Sequence, residues 1–223
     1  MAGKTRTPPS ARTTLNREQV LRAAIGLADE SGIEALSMRR LGRALGVEAM
    51  SLYNHVAGKD DLLDGMVDLV WGEVTLPSAD GDWKAAIRTT AVSAHQILLR
   101  HPWACHLVIS RVLPTRLRYI EAVLERLQKA GFPPRLTYYA YHAIDSHVIG
   151  FTMWHAGHSM SEDKRATLGA TVLSALLDEL PHLSQHTEQH RTGLGRDGPD
   201  EFVFALDFIL AGLDRARRTR ARS

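Results

Sequence analysis

Residues 37–59 read SMRRLGRALGVEAMSLYNHVAGK, and this stretch decides the fold. Ser37 is a residue type that caps helix N-termini, and Met38, Leu41 and Leu45 follow at i, i+3 and i+7, on one face. Arg39, Arg40 and Arg43 occupy the other face. Gly46 supplies the tight turn that two steeply crossing helices require. A second short helix is expected from about Glu48, with Leu52 and Val56 four apart and turned inward. That leaves Ala49, Met50, Ser51, Tyr53, Asn54 and His55 pointing outward. This outward face is small near its start and hydrogen-bonding near its end. It suits a helix whose first residues meet base edges while its later ones hold phosphates. A solvated basic hairpin is the bland alternative, but apolar spacing, glycine and basic residues together describe a helix-turn-helix.

The residues Ser37-Met38-Arg39-Arg40-Leu41, Leu45-Gly46-Val47, Leu52-Tyr53-Asn54-His55-Val56, Lys59 and Leu62-Leu63 together make a long, ordered motif. It resembles the helix-turn-helix of the tetracycline-repressor (TetR) family of bacterial transcription regulators. The match covers about the first third of the chain. It implies an all-α protein with an N-terminal three-helix DNA-binding domain and a C-terminal helical domain for ligand binding and dimerisation. On the DNA face, Ser37, Tyr53, His55 and Lys59 are expected to hold phosphates. Arg39, Ala49, Met50 and Ser51 are expected to approach bases, with Asn54 on the same surface.

The rest of the chain agrees with a regulator of this kind. A length of 223 residues, 44% hydrophobic and 23% charged, is enough to bury a sizeable core. The one cysteine, Cys105, excludes an internal disulfide and fits a reducing cytoplasm, where it is expected as a buried thiol. No stretch approaches the ~20 apolar residues of a membrane span, and the start lacks a signal-peptide apolar region. Residues 1–60 hold nine Lys/Arg against six Asp/Glu, residues 61–214 hold 13 against 19, and the last nine hold five arginines and no acid. A basic head on an acidic body is the charge pattern of a DNA-docking end on a regulatory domain.

In chain order, residues 1–15 read as a flexible basic arm and residues 16–62 as the DNA-binding domain. Asn16 with Gln19 makes a capping pair for a first helix, which Gly32 ends. Residues 63–214 form the body. Its first helix, begun near Lys59 with Asp60 and Asp61 in the first turn, is in the family the mechanical link to the DNA-binding head. Asp82 caps a helix to about Arg100. Pro102 and Pro114 bracket a short segment, Gly131 ends the next helix, and a long helix runs from Pro134 to about Gly157. A helix over 166–180, a polar loop over 181–199, a last helix over 200–214 and a basic tail over 215–223 complete the chain.

Two stripes carry the body's expected chemistry. His147, Phe151, Trp154 and His158 fall at i, i+4, i+7 and i+11 on the long helix; with His142 and Trp103 they offer ring faces and a few hydrogen bonds to an apolar or aromatic small-molecule effector. Core packing with satisfied histidines is the alternative reading of the same stripe. Leu168, Val172 and Leu176 on one helix, and Phe202, Leu206, Ile209 and Leu213 on another, make faces too apolar for one small chain. In the family such a pair meets its copy in a four-helix bundle, which implies a homodimer on a palindromic operator. His182, His186 and His190 are spaced by four but lie in a polar, loop-like segment, so no metal or other cofactor is expected. The expected function is a cytoplasmic, homodimeric repressor released from its operator by a small molecule, not an enzyme. A metal-dependent hydrolase using the body histidines and a ligand-independent DNA-binding protein are the alternatives. The first lacks any acid–base pair at usable spacing, and phosphate loops and zinc-hydrolase patterns are absent.

Overall fold

The computed structural model describes residues 15–165, 179–192 and 200–220, with the backbone alone at 157–165, 187–192 and 220. No strand occurs among these residues. The chain divides into two compact units, Met1–Met66 and Val67–Ser223.

In the first unit, α1 spans Arg17–Ser31, a 3₁₀ turn Ile33–Ala35, α2 Met38–Leu45 and a 3₁₀ helix Ala49–Asn54; α3, Lys59–Trp71, begins here and ends in the second unit. The boundaries are local chemistry. Asn16 accepts from the Gln19 amide while the Gln19 side chain accepts from the Asn16 amide, a complete capping box. Gly32 ends α1 at φ 79°, a backbone that favours glycine. Val20, Leu21, Ala24 and Ala28 of α1 are buried with Leu36, Leu41, Leu52, Val56, Leu62 and Met66. The segment expected as a second α-helix is instead a six-residue 3₁₀ helix. Its amides reach only three residues back, Ser51 to the Glu48 carbonyl and His55 to that of Leu52, at 2.9 Å each.

In the second unit α4 spans Trp83–Arg100, α5 Ala104–Ser110, α6 Pro114–Lys129, α7 Pro134–Arg165, α8 Pro181–Thr192 and α9 Glu201–Arg220. Asp82 caps α4 by accepting from the amides of Lys84 and Ala85, and Pro114 occupies the first turn of α6, where no amide proton is needed. α7 is the central element, packed against α4, α5, α6 and α9. Ile87, Ala91, Ala94 and Leu98 of α4 are buried as their spacing predicts, and α4 packs on α7, where Ile144 and Val148 are buried too. Cys105 is buried, and burial pushes its thiol up to about 11, so it stays protonated and unreactive at neutral pH.

Three expectations about element ends are corrected. α7 continues past Gly157 to Arg165, since one glycine inside a long helix costs only about 1 kcal/mol. Residues 181–192 are helical rather than a loop, opened by Pro181. The last helix continues through Arg215, Arg217 and Arg218 to Arg220, so most of the expected basic tail is helix. Residues 1–14 of the expected arm over 1–15, the dimer-face residues Leu168, Val172 and Leu176, and the end at 221–223 lie outside the described residues.

Candidate nucleic-acid interface and regulatory body

The reading segment is positioned by backbone contact. A Cβ built on Gly42 of α2 would come within 2.8 Å of the Val47 carbonyl oxygen and 3.1 Å of the Ala49 amide nitrogen. Only glycine lets the two arms of the turn approach so closely. Gly46 follows at φ 68°, and the Val47 amide bonds back to the Gly42 carbonyl at 2.9 Å while that of Gly46 reaches Arg43, closing α2 in a Schellman turn. Gly46 is legible in the sequence; Gly42 is not, because its role depends on a contact across the turn.

A second brace joins three parts of this unit. Arg17 meets Asp61 with both prongs, Nη1–Oδ2 at 2.8 Å and Nη2–Oδ1 at 2.6 Å, and Nη1 also donates to the His55 carbonyl at 2.9 Å. Asp61 accepts from the Ala57 amide as well, at 2.8 Å. Hydrogen bonds from Arg17 and then from Ala57 hold its carboxyl down to about 2. The start of α1, the end of the reading segment and the start of α3 are thereby tied together.

On this frame Ser37, Arg39, Met50, Tyr53, Asn54 and Lys59 are exposed, while Ala49, Ser51 and His55 are half-buried. Met50 is 75% exposed. Ser37 caps α2 by accepting from the Arg40 amide at 3.3 Å, which leaves its hydroxyl proton available to a phosphate. Arg40 is held on Ser31 Oγ at 2.7 Å.

In the second unit the structure brings together only part of the expected effector stripe. His147, Phe151 and Trp154 adjoin in sequence along α7, with ring centres 5.5 and 5.8 Å apart. Their face is turned to the chain's own core. His147 stacks on Phe202 of α9 at 4.7 Å and its Nε2 donates to the Phe202 carbonyl at 2.9 Å; Phe151 meets Phe202 edge-on at 5.6 Å. His95 of α4 stacks on the same ring at 3.9 Å. The expected effector stripe is therefore corrected, because Phe202 and His95 fill the space that His147 and Phe151 face; Trp154, beside Phe151, is exposed. His142 sits elsewhere, against Tyr138 and Tyr141, and Trp103 beside His101. His158 lies in α7 where only the backbone is described.

The chemistry of His95 follows from its partners. Thr152 Oγ1 donates its single proton to the Val148 carbonyl at 2.6 Å, so at 2.7 Å it accepts from His95 Nδ1. His95 is thus the neutral Nδ1–H tautomer. Burial, with lesser help from His155 and His147 and against the pull of Asp200, pushes it down to about 4.

Another cluster joins α3, α6 and α7. Asp68 accepts from the Thr115 amide at 2.9 Å and its hydroxyl at 2.6 Å, acting as a cap for α6 supplied by α3. Trp71 meets Tyr119 edge-on at 5.2 Å, and the Arg116 guanidinium lies over both rings. Burial disfavours the Arg116 charge, but the Asp145 carboxylate beside it holds the guanidinium above its ordinary range. Burial also pushes the Tyr141 hydroxyl up to about 12.

The last helix presents a different face from the one expected. Phe202 and Leu206 are fully buried by their own chain, so they cannot offer area to a partner. Ile209 and Leu213 are half-buried. The large apolar side chains left uncovered are Phe204 and Phe208, 54% and 66% exposed and 4.9 Å apart. An apolar stripe broad enough for two neighbours cannot say from spacing alone which one the same chain supplies. Arg217 and Arg218 both pair with Asp214, and Arg217 donates to the Ala130 carbonyl at the end of α6. His182 and His186 are exposed on α8, and among the described residues no cluster of three or more His, Cys, Asp or Glu could hold a metal ion. No helix among them is long and apolar enough to cross a membrane.

A helix-turn-helix head followed by an all-helical body defines a DNA-binding regulator of transcription. The chain matches the family described as bacterial regulatory proteins, tetR family, over residues 20–66, and the tetracyclin repressor-like C-terminal domain over residues 76–217. It belongs to the TetR family, in the group with a tetracycline-repressor-like C-terminal domain. It is 33% identical to the transcriptional repressor DrrR1 of Streptomyces coeruleorubidus, over 91% of this chain and 78% of that one. The class D tetracycline repressor of Escherichia coli is 28% identical over 90% of this chain and 89% of its own. Among solved structures, ligand-free ActR of Streptomyces coelicolor superimposes with a TM-score of 0.69 at 27% identity, over 94% of this chain and all (100%) of that one. ActR has also been solved with actinorhodin, at a TM-score of 0.66 and 28% identity over 91% of this chain and 98% of that one.

Proposed function

We propose that this chain is a cytoplasmic homodimeric repressor that grips a palindromic operator with two copies of the 49–54 segment and lets go when a small, largely apolar or aromatic molecule enters the second unit. The observation that carries the DNA half is the exposed Met50, Tyr53 and Asn54 on a backbone fixed by Gly42 and by the Arg17–Asp61 brace. Arg39, Ala49, Met50 and Ser51 read bases; Ser37, Tyr53, His55 and Lys59 hold phosphates, with Asn54 beside them. Exposed Phe204 and Phe208 support pairing with a second copy through α9. Membership of a family that includes ActR, solved with a bound small molecule, supports the release half. α3 is the element through which occupancy would act, because Asp68 and Trp71 tie its last turns to α6.

Footprinting on DNA flanking the chain's own gene, with sedimentation at the same protein concentration, tests this. The expected result is two protected half-sites about one helical turn apart, bound by a dimer. Protection of a single half-site by a monomer would refute it.

A further inference from the structure

Among the described residues of the second unit five buried side-chain polar atoms lack partners, and two of them, on Trp71 and Arg116, belong to side chains that touch. Trp71 is 1% exposed and its Nε1–H meets no acceptor; Arg116 is 6% exposed and its Nη1 likewise meets none. A buried donor left unpaired is unfavourable enough that native chains retain few of them. Here both belong to one contact, the guanidinium carbon lying 4.7 Å from the centre of the Trp71 ring and 4.9 Å from that of Tyr119. The other arm of Arg116 shows why Nη1 is idle. Nη2 alone serves both oxygens of Asp145, at 2.6 Å each, with the Tyr141 hydroxyl 3.4 Å away. A guanidinium set squarely on a carboxylate would engage both arms. This one is turned so that Nη1 is kept off it.

We propose that Trp71 Nε1 and Arg116 Nη1 together receive an oxygen of the effector, and that the effector is a planar, uncharged aromatic carbonyl compound. The proposal rests on the ligand-responsive reading above and supplies the place and chemistry of that site. Two idle donors call for an acceptor oxygen. Asp145 already neutralises Arg116, so an anionic ligand would meet a like charge close by, whereas a carbonyl oxygen takes both hydrogen bonds without that repulsion. The surroundings set the shape. Trp71 and Tyr119 make the site's buried end aromatic, and half-buried Tyr141 leads outward to the exposed rings of His142 and Tyr138, at 5.1 Å from Tyr141 to His142 and 4.4 Å from His142 to Tyr138. This is the opposite side of α7 from His147 and Phe151. Of the effector-binding residues expected from the sequence, it keeps His142.

Calorimetric titration of the intact chain with three probes of one ring size tests the proposal: 2-acetonaphthone, 2-naphthoate and 2-ethylnaphthalene. The ketone should bind at least about tenfold more tightly than the other two, the effect of one well-made hydrogen bond. Trp71→Phe keeps the ring and removes the donor. It should weaken the ketone about five- to tenfold, leave ethylnaphthalene unchanged and leave the melting temperature near that of the wild type. Equal affinities for the three probes, tightest binding of naphthoate, or a ketone affinity indifferent to Trp71→Phe would each overturn the proposal. The probe comparison on the wild type stands even if the variant folds poorly. Because no DNA is present, the two readings fail separately. A chain that takes the ketone through Trp71 yet holds its operator unchanged supports this site and refutes ligand release. A chain released by molecules in a cell extract but blind to the ketone refutes this site alone.

Discussion

Lowering the pH from 7 to about 4.5 asks a histidine that the fold keeps neutral to take a proton. His95 already donates through Nδ1 to Thr152, so the new proton goes to Nε2, on an imidazole stacked at 3.9 Å on Phe202 and 5.8 Å from Phe151. In the unfolded chain it titrates near 6.5, in the folded chain near 4. The sign follows. Between those values the unfolded state binds more protons, so stability is fully present above 6.5 and is lost as pH falls towards 4. At 1.36 kcal/mol per unit, the loss between pH 7 and 4.5 is about 2 kcal/mol. Attraction of the imidazolium to the Phe202 face, about 1 kcal/mol at most sites, reduces this without reversing it. Carboxylates add acid losses of their own, so the measurement is a difference. Urea unfolding at fixed protein concentration would compare the wild type with His95→Gln, which keeps a donor for Thr152 but cannot titrate. The variant should lose about 2 kcal/mol less over the same pH range. Equal losses in the two proteins would mean that His95 is not held neutral by its burial.

Gly42→Ala drives a methyl into the backbone at Val47 and Ala49, where no flexible side chain can yield; a loss of about 1–3 kcal/mol in thermal or urea unfolding is expected, with operator binding lost too. Wild-type behaviour of the Gly42→Ala chain in both assays would show that the turn does not depend on this approach. Lys59→Ala should weaken binding to all DNA sequences alike and flatten the salt dependence by about one unit, while changes at exposed Met50 should alter which sequence is preferred. An unchanged salt slope on filter binding would remove Lys59 from the phosphate contacts. Phe208→Asp should give monomers on sedimentation with a near-native helical spectrum, whereas Leu206→Asp should unfold the body, because Leu206 is buried within one chain. A dimeric Phe208→Asp would place the partner on another surface.

Local chemistry was legible in the sequence and cross-chain chemistry was not. Asn16 with Gln19, Ser37, Asp82, Gly32 and Gly46 act on amides a few residues away, so residue type and spacing are enough to place them. The apolar spacing of α1, α2 and α4 likewise identifies their inward faces, whereas the buried face of α7, through Leu136, Ala140, Ile144 and Val148, was not read from the sequence. Helix α8 was missed because it is polar around its whole circumference and gives no periodic signal; Pro181 was its start mark. The arginines of α9 looked like a tail because charge runs usually are, yet arginine is a good helix former and Asp214 and Ala130 supply partners. Of the residues expected to face DNA, Ser37, Arg39, Met50, Tyr53, Asn54 and Lys59 are exposed and Ala49, Ser51 and His55 are half-buried. Gly42 against Val47, and Arg116 with Trp71 and Asp145, depend on chain paths that spacing does not encode.

The close approach at Gly42 also bears on how such a protein acquires new targets. The reading segment is held by carbonyls and amides of residues 47–49 and 52–55 and by buried Leu52, none of which is an outward side chain. Met50, Tyr53 and Asn54 can therefore be exchanged with little disturbance of the scaffold, which makes them tolerant sites for drift after gene duplication. Gly42 has no such freedom. Copies of this chain are expected to diverge first in the letters they recognise and last in the frame that presents them, and a library confined to 49–51 and 53–54 should retarget the protein without refolding it.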